Sequence, residues 1–232
     1  KNYEGKTDAF ISAFRFPAEF KEYFKSFKTI SGYGGKFTFE TILLDFDCTG
    51  DIPKAKHELE NFLQYGLQEF LDFEEIENHV KIAFSGNKGF SLGIPAVFLG
   101  TINPNTDNNE HVKKFVKRLT EIASDTSGME FQTVDFAIYD KVRLFRLPNT
   151  INSKSGLYKI PLLYSEFFNM DAEQIKELAK EPRTVQYKPM SYIKVNEPMR
   201  DIFNSIIQDA NIKTIKPAMQ EPAESVINFS AV

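Results

Sequence analysis

The chain has 232 residues, 42% hydrophobic and 26% charged, with one Cys, no Trp and a net charge of −4. That length suits one sizeable domain with a small appendage, and the composition excludes collagen-like, coiled-coil and largely disordered chains. No stretch approaches the roughly 20 apolar residues that cross a bilayer, and the acidic balance excludes a uniformly basic nucleic-acid coat while leaving room for a local basic groove. Cys48 has no partner for an internal disulfide and no signal-peptide pattern opens the chain, so the expected setting is reducing and cytoplasmic, without a membrane. A first residue of Lys rather than Met makes a piece of a longer protein the expectation.

In chain order, Phe20, Tyr23, Phe24 and Phe27 recur at helical spacing and predict a short amphipathic helix over about 17–28. Gly32, Gly34 and Gly35 break it, and from Lys36 the run KFTFETILLDFD is dense in β-branched and aromatic residues, which predicts a strand. Pro53 opens a long helix whose apolar face is Leu59, Phe62, Leu63, Leu67, Phe70 and Leu71. Strands are expected at His79–Phe84 and Phe90–Leu99, paired as a hairpin, followed by a polar loop over Asn103–Asn109. Val112, Phe115, Val116, Leu119 and Ile122 mark a second amphipathic helix that Gly128 closes. Further strands are expected over 132–138, 142–146 and 156–161, then a helix from Asp171 through Leu178. Five prolines follow Glu181, with one helix expected over 199–208 and a linker-like end. This order predicts an α+β fold with helices packed on a mostly antiparallel sheet, divided into a domain over 1–181 and a C-terminal helix and extension over 182–232.

Three segments could carry chemistry. Asp45 and Asp47 stand two apart in an apolar strand, so both carboxylates share a face, about 7 Å apart, while Leu44 and Phe46 take the other. Paired carboxylates suit a hard cation such as Mg²⁺ or Mn²⁺; alone, the pattern also describes two solvated acids at a strand end. Ser85-Gly86-Asn87-Lys88-Gly89, with Ser91 beyond it, offers close backbone approach, a point charge and hydroxyls to a phosphate, though it equally suits an ordinary glycine hairpin and lacks the P-loop spacing. The third is Asp135, followed by a run with five basic residues against one acid between 140 and 159. Within it Arg143 and Arg146 differ by an odd number, so in a regular strand only one would face a given site.

Taken together, D-x-D, S-G-x-K-G, and an Asp followed by Arg143-Leu-Phe-Arg-Leu-Pro-Asn-Thr-Ile-Asn-Ser-Lys-Ser-Gly-Leu-Tyr-Lys159 resemble the archaeo-eukaryotic primase superfamily, over about residues 36–162. The last segment is the most specific part. The resemblance implies an RRM-like catalytic sheet with packed helices joined to a second small α/β unit. It implies DNA primase or DNA polymerase activity with Mg²⁺ or Mn²⁺, on a single-stranded DNA template and primer strand, consuming nucleoside triphosphates. By the same resemblance Asp45, Asp47 and Asp135 are the metal ligands and catalytic acids. Ser85, Gly86, Lys88, Gly89, Ser91, Arg146 and Lys154 bind the nucleotide. One departure is Ser91, where the family's second motif usually ends in His; the histidines here are His57, His79 and His111, none in a motif. The Pro-punctuated end suggests a link to a further domain such as a helicase.

Two other readings compete. A primase-like module that binds nucleotide or nucleic acid without catalysis is compatible with the missing His. A D-x-D glycosyltransferase leaves the basic segment from Arg146 to Lys154 unexplained and has only 44 residues before Asp45. A rolling-circle initiator needs a paired-His metal site that is absent.

Overall fold

The structure is a computed structural model and describes residues 4–187 and 193–214. It is an α+β arrangement of helices and antiparallel sheets. The central sheet is built from β2 (Thr41–Asp47), β3 (Lys81–Phe84), β4 (Gly89–Pro95) and β6 (Ile160–Leu162), in the spatial order β2-β4-β3-β6 with every neighbour antiparallel. Residues 133–135 extend it beyond β2: Phe46 bridges Val134, Asp47 N–H donates to Thr133 O at 2.8 Å, and Asp135 N–H donates to Asp45 O at 2.9 Å.

Alternation in β2 fixes the faces. Ile42, Leu44 and Phe46 are fully buried and pair with Ile94, Leu92 and Phe90 of β4, which are fully buried too. Burying each such side chain contributes about 1.5–3 kcal/mol. A one-residue slip would exchange these six for Asp45, Asp47 and their neighbours, so the register that builds the core also turns the acids to the opposite face. Behind the core face pack α2 (Ile52–Asn61) and α4 (Asn108–Ser127), through Ala55, Leu59, Phe115, Val116 and Leu119. Asp51 caps α2 by accepting from Lys54 N–H at 2.9 Å, and α4 stops at Gly128, whose φ of +71° is left-handed.

The long helix expected from Pro53 to Leu71 changes character. After Asn61 it widens into a π-helical turn, Phe62–Leu67, where Gln68 N–H reaches Leu63 O at 3.1 Å, and it then ends. A separate helix follows, α3 (Phe73–His79), opened by an Asp72–Glu75 capping box, so His79 ends a helix rather than opening a strand. The early strand begins at Thr41 rather than Lys36, and residues 37 and 38 make isolated bridges to Asn105 and Arg15. The second hairpin strand stops at Pro95, with Ala96–Leu99 forming a 3₁₀ turn. Residues 132–138 are not one strand: the bridge at Val134 gives way to a 3₁₀ turn, Phe136–Tyr139, capped by Asp135, whose Oδ1 accepts from Ala137 N–H at 2.8 Å.

β5 (Leu144–Arg146) leaves the central sheet and pairs with β1 (Phe10–Ser12), an element too short to show in the pattern. The remaining helices are α1 (Phe20–Phe27), α5 (Tyr164–Asn169), α6 (Ala172–Leu178) and α7 (Glu197–Thr214). The helix expected at 199–208 is α7, and it buries Met199 and Phe203 in the core, Phe203 lying edge-on to Phe39 and Phe115. The linker-like end beyond residue 214 lies outside the described residues. Among the described residues no helix is long and apolar enough to cross a membrane.

Candidate active site

The three acids lie on one face at one end of the central sheet. Asp45 stands opposite Asp135 across the edge pairing, because Phe46 bridges Val134. Residues directly opposite in an antiparallel pair share a face, with Cβ atoms about 5 Å apart. Asp47 lies two residues along the same face. Asp45 and Asp47 line a cleft of about 300 Å³ together with Ser85, Lys88, Arg143, Arg146, Asn152 and Lys159, and Asp135 stands beside it. Four cations therefore face the carboxylates in a chain that is acidic overall.

The pairing is specific. Lys88 Nζ lies 2.9 Å from Asp47 Oδ2, and Arg143 Nη2 lies 3.4 Å from Asp135 Oδ2. The bond to Asp47 pushes the Lys88 ammonium up. Burial pushes Asp45 up to about 7, the Asp47 and Asp135 charges add to this, and Lys159 and Arg143 work against it. Burial pushes Lys159 down, with Asp45 drawing it back. A lysine ammonium and an aspartate are thus packed together where water solvates neither well.

Two glycines make this geometry. A Cβ at Gly89 would sit 1.9 Å from Phe46 O and 2.7 Å from Asp47 Oδ1, so only glycine lets the hairpin close against the acid-bearing end of β2. Gly86, at φ +81°, lies against the 157–159 backbone, and Ser155 Oγ donates to Gly86 O. The S-G-N-K-G turn and the basic segment are thereby joined in one wall.

A buried carboxylate from α2 sets the edge. Glu58 is 2% exposed and accepts from both Thr133 N–H (2.7 Å) and Thr133 Oγ1 (2.8 Å), fixing the segment that carries Asp135. The sequence pattern places Glu58 on a helix but gives no sign that it reaches Thr133.

The expected site residues divide as follows. Asp45, Asp47, Ser85, Lys88 and Arg146 line the cleft and Asp135 stands beside it. Ser91 is buried opposite Asp45 in β4 and borders an adjoining groove that shares Phe145, Arg146 and Lys159 with the cleft. Lys154 is exposed and is not in the lining; its N–H donates to Asn152 Oδ1 in a local turn. Arg143 and Arg146 both reach the cleft, against the parity expectation, because Arg143 belongs to the turn before β5, with its N–H on Asp140 O. Lys159, the last residue of the basic motif, is buried in the cleft wall, and its place as a lone lysine within Leu-Tyr-Lys-Ile-Pro-Leu is the sequence signal for that burial.

The donor set suits a hard divalent ion. Asp47 Oδ1 is buried and has no hydrogen-bond partner, a cost of about 1–3 kcal/mol or more that a cation would relieve. Repulsion among Asp45, Asp47 and Asp135 would be relieved as well. Among the described residues no three His, Cys, Asp or Glu side chains are gathered tightly enough to hold an ion as they stand. Asp47 and Asp135 would have to turn from Lys88 and Arg143.

No family model and no curated protein matches the chain. Among solved structures it is similar to the polymerase domain of Mycobacterium tuberculosis ligase D in complex with DNA, with a TM-score of 0.36 and 12% identity over 75% of this chain. The match takes in 54% of that structure's chain, about half its length. A likeness this distant assigns no role to any residue.

Proposed function

We propose that the chain catalyses template-directed nucleotidyl transfer, adding nucleotides from nucleoside triphosphates to a primer strand on single-stranded DNA, as a primase-polymerase of the archaeo-eukaryotic primase superfamily. The observation that carries this reading is the gathering of Asp45, Asp47 and Asp135, from motifs about 90 residues apart in sequence, on one sheet face beside a wall of lysines and arginines. The element order supports it. With the short α3 set aside, the order β2, α2, β3, β4, α4 and the 133–135 edge follows a βαββαβ pattern with its last strand beside its first, which supports an RRM-like reading.

Asp45, Asp47 and Asp135 would hold Mg²⁺ or Mn²⁺. When bound, such ions neutralise charge on the attacked phosphate and ease deprotonation of the attacking 3′-hydroxyl. The chain's own cations do the rest. Lys88 and Arg143 pair with carboxylates in the cleft and can exchange them for phosphate oxygens, Arg143 through two parallel N–H donors. Arg146 and Lys159, both well buried, are held in the cleft wall, where fixed positive charge stabilises the departing pyrophosphate. Ser91 offers a hydroxyl but no charge at the family's His position, and Lys159, bordering the same groove, supplies a charge there.

The test is incubation with single-stranded DNA, Mn²⁺ and labelled nucleoside triphosphates, with and without a primer. Wild-type protein should incorporate nucleotide and the Asp45→Ala/Asp47→Ala double variant should not; equal incorporation by the two would end the proposal. Ser91 favours a second reading, a module that binds nucleotide without turnover. It predicts nucleotide binding by wild-type protein with no incorporation in the same assay.

A further inference from the structure

We propose that Asp8 is a positioning residue that fixes the Arg146 guanidinium in the cleft wall and thereby sets affinity for a triphosphate chain. This deepens the nucleotidyl-transfer reading and rests on it. Arg146 Nη1 donates to Asp8 Oδ1 at 2.5 Å and to Ile151 O at 2.9 Å, and its guanidinium lies 4.9 Å from the centre of the Phe10 ring. One carboxylate, one carbonyl and one aromatic face restrain it. Both hydrogen bonds use Nη1, and a guanidinium has five N–H donors, so the fork retains donors for phosphate oxygens.

Asp8 is itself fixed. Its φ of +52° lies in the left-handed region, which costs most L-residues about 1–2 kcal/mol and which Asp tolerates better than most. Its N–H donates to Ile151 O at 2.9 Å, and Leu147 N–H and Ile151 N–H donate to Ala9 O and Lys6 O, each at 2.9 Å. Ser153 N–H donates to Asp8 Oδ1 at 3.3 Å. Hydrogen bonds from Ser153 and Arg146 hold the Asp8 carboxyl down at about 2. Because the backbone on both sides of Asp8 is tied to 147–151, the carboxylate is anchored rather than standing in temporarily for a phosphate. It neutralises part of the Arg146 charge, but it removes the rotamer freedom that a long side chain would lose on gripping a phosphate.

The experiment is calorimetric titration of inorganic tripolyphosphate, with Mg²⁺ present, into wild-type protein and the Asp8→Gly, Asp8→Asn, Arg146→Ala and Asp8→Gly/Arg146→Ala variants. Glycine keeps the positive φ without strain and removes the carboxylate, whereas Asn keeps an acceptor oxygen and tolerates the conformation. Asp8→Gly should weaken binding by about tenfold, comparable to losing one charge-assisted hydrogen bond, and Asp8→Asn should restore most of it. Adding Asp8→Gly to Arg146→Ala should change nothing further, whereas a merely structural Asp8 would weaken binding again. Binding by Asp8→Gly that equals or exceeds wild type overturns the proposal, with an increase marking Asp8 as a competitor for the anion site. If Arg146→Ala is weak while Asp8→Gly matches wild type, only the role of Asp8 falls. If wild-type protein takes up no tripolyphosphate, the nucleotide reading falls and the role of Asp8 with it.

Discussion

Replacing Glu58 tests how the fold delivers Asp135 to the site. Two backbone hydrogen bonds join 133–135 to β2, and the Glu58 carboxylate clamps the same segment from α2 through Thr133 N–H and Oγ1. Thr133 is 4% exposed, so in Glu58→Ala both donors stay out of reach of bulk water. Leaving a buried donor unsatisfied costs about 1–3 kcal/mol, so two amount to about 2–6 kcal/mol. Glu58→Gln keeps an acceptor and loses the charge. Each bond then drops by about 1 kcal/mol, part of which is offset because a charge no longer has to be buried, for a net loss of about 1 kcal/mol. Urea unfolding in EDTA, extrapolated linearly, reads both values, and calorimetry reads Mn²⁺ binding by the folded variants. Glu58→Ala should be at least about 2 kcal/mol less stable than wild type and bind Mn²⁺ more weakly, because Asp135 loses its support. A Glu58→Ala variant within about 0.5 kcal/mol of wild type, with Mn²⁺ affinity unchanged, would refute the clamp.

Two further outcomes follow from the charges. Asp45 is pushed up to about 7 from an ordinary 3.8, so the folded state holds that proton more tightly than the unfolded chain. The stability it contributes is full below about pH 4 and is lost as pH rises through about 7. In EDTA, wild-type protein should therefore lose stability relative to Asp45→Asn between about pH 4 and pH 7 and run parallel to it above that, read from urea midpoints; profiles parallel throughout would contradict it. For the lysines, Lys159→Met should raise the apparent KM for nucleotide about tenfold, whereas Lys154→Ala should change it less than about threefold. The reverse order in steady-state incorporation assays would return the phosphate-binding role to Lys154.

Much of the fold was legible because its strongest signals are local. Alternation in Ile42–Phe46 gives the strand and the face of the acids, and the 3.6-residue period of Val112–Ile122 gives α4. The parts that were not legible depend on contacts distant in sequence. β1 is three residues long and exists as a strand through its pairing with β5. The widening at Phe62–Leu67 keeps an apolar face and so is invisible to periodicity, and α3 is a two-turn helix whose start lies in the Asp72–Glu75 capping box. For the site, the acids could be read from their motifs, but the cations could not all be. Lys154 carries the motif position yet is exposed, whereas Lys159, five residues on, enters β6's approach to the sheet and is buried beside Asp45. Asp8, 138 residues from Arg146, has no sequence signal at all.

The measurement that bears most directly on nucleotidyl transfer is extension of a primed single-stranded DNA template by wild-type protein and by Asp135→Asn, with saturating Mn²⁺ and nucleoside triphosphates and with melting temperatures recorded in parallel. Asp135 is the acid supplied by the later segment, so its role depends on the edge pairing with Asp45. Extension by Asp135→Asn should fall by about 10²-fold or more, the size expected when a group that organises transition-state charge is lost, with the melting temperature unchanged. Extension at the wild-type rate would contradict a catalytic centre built from these three carboxylates.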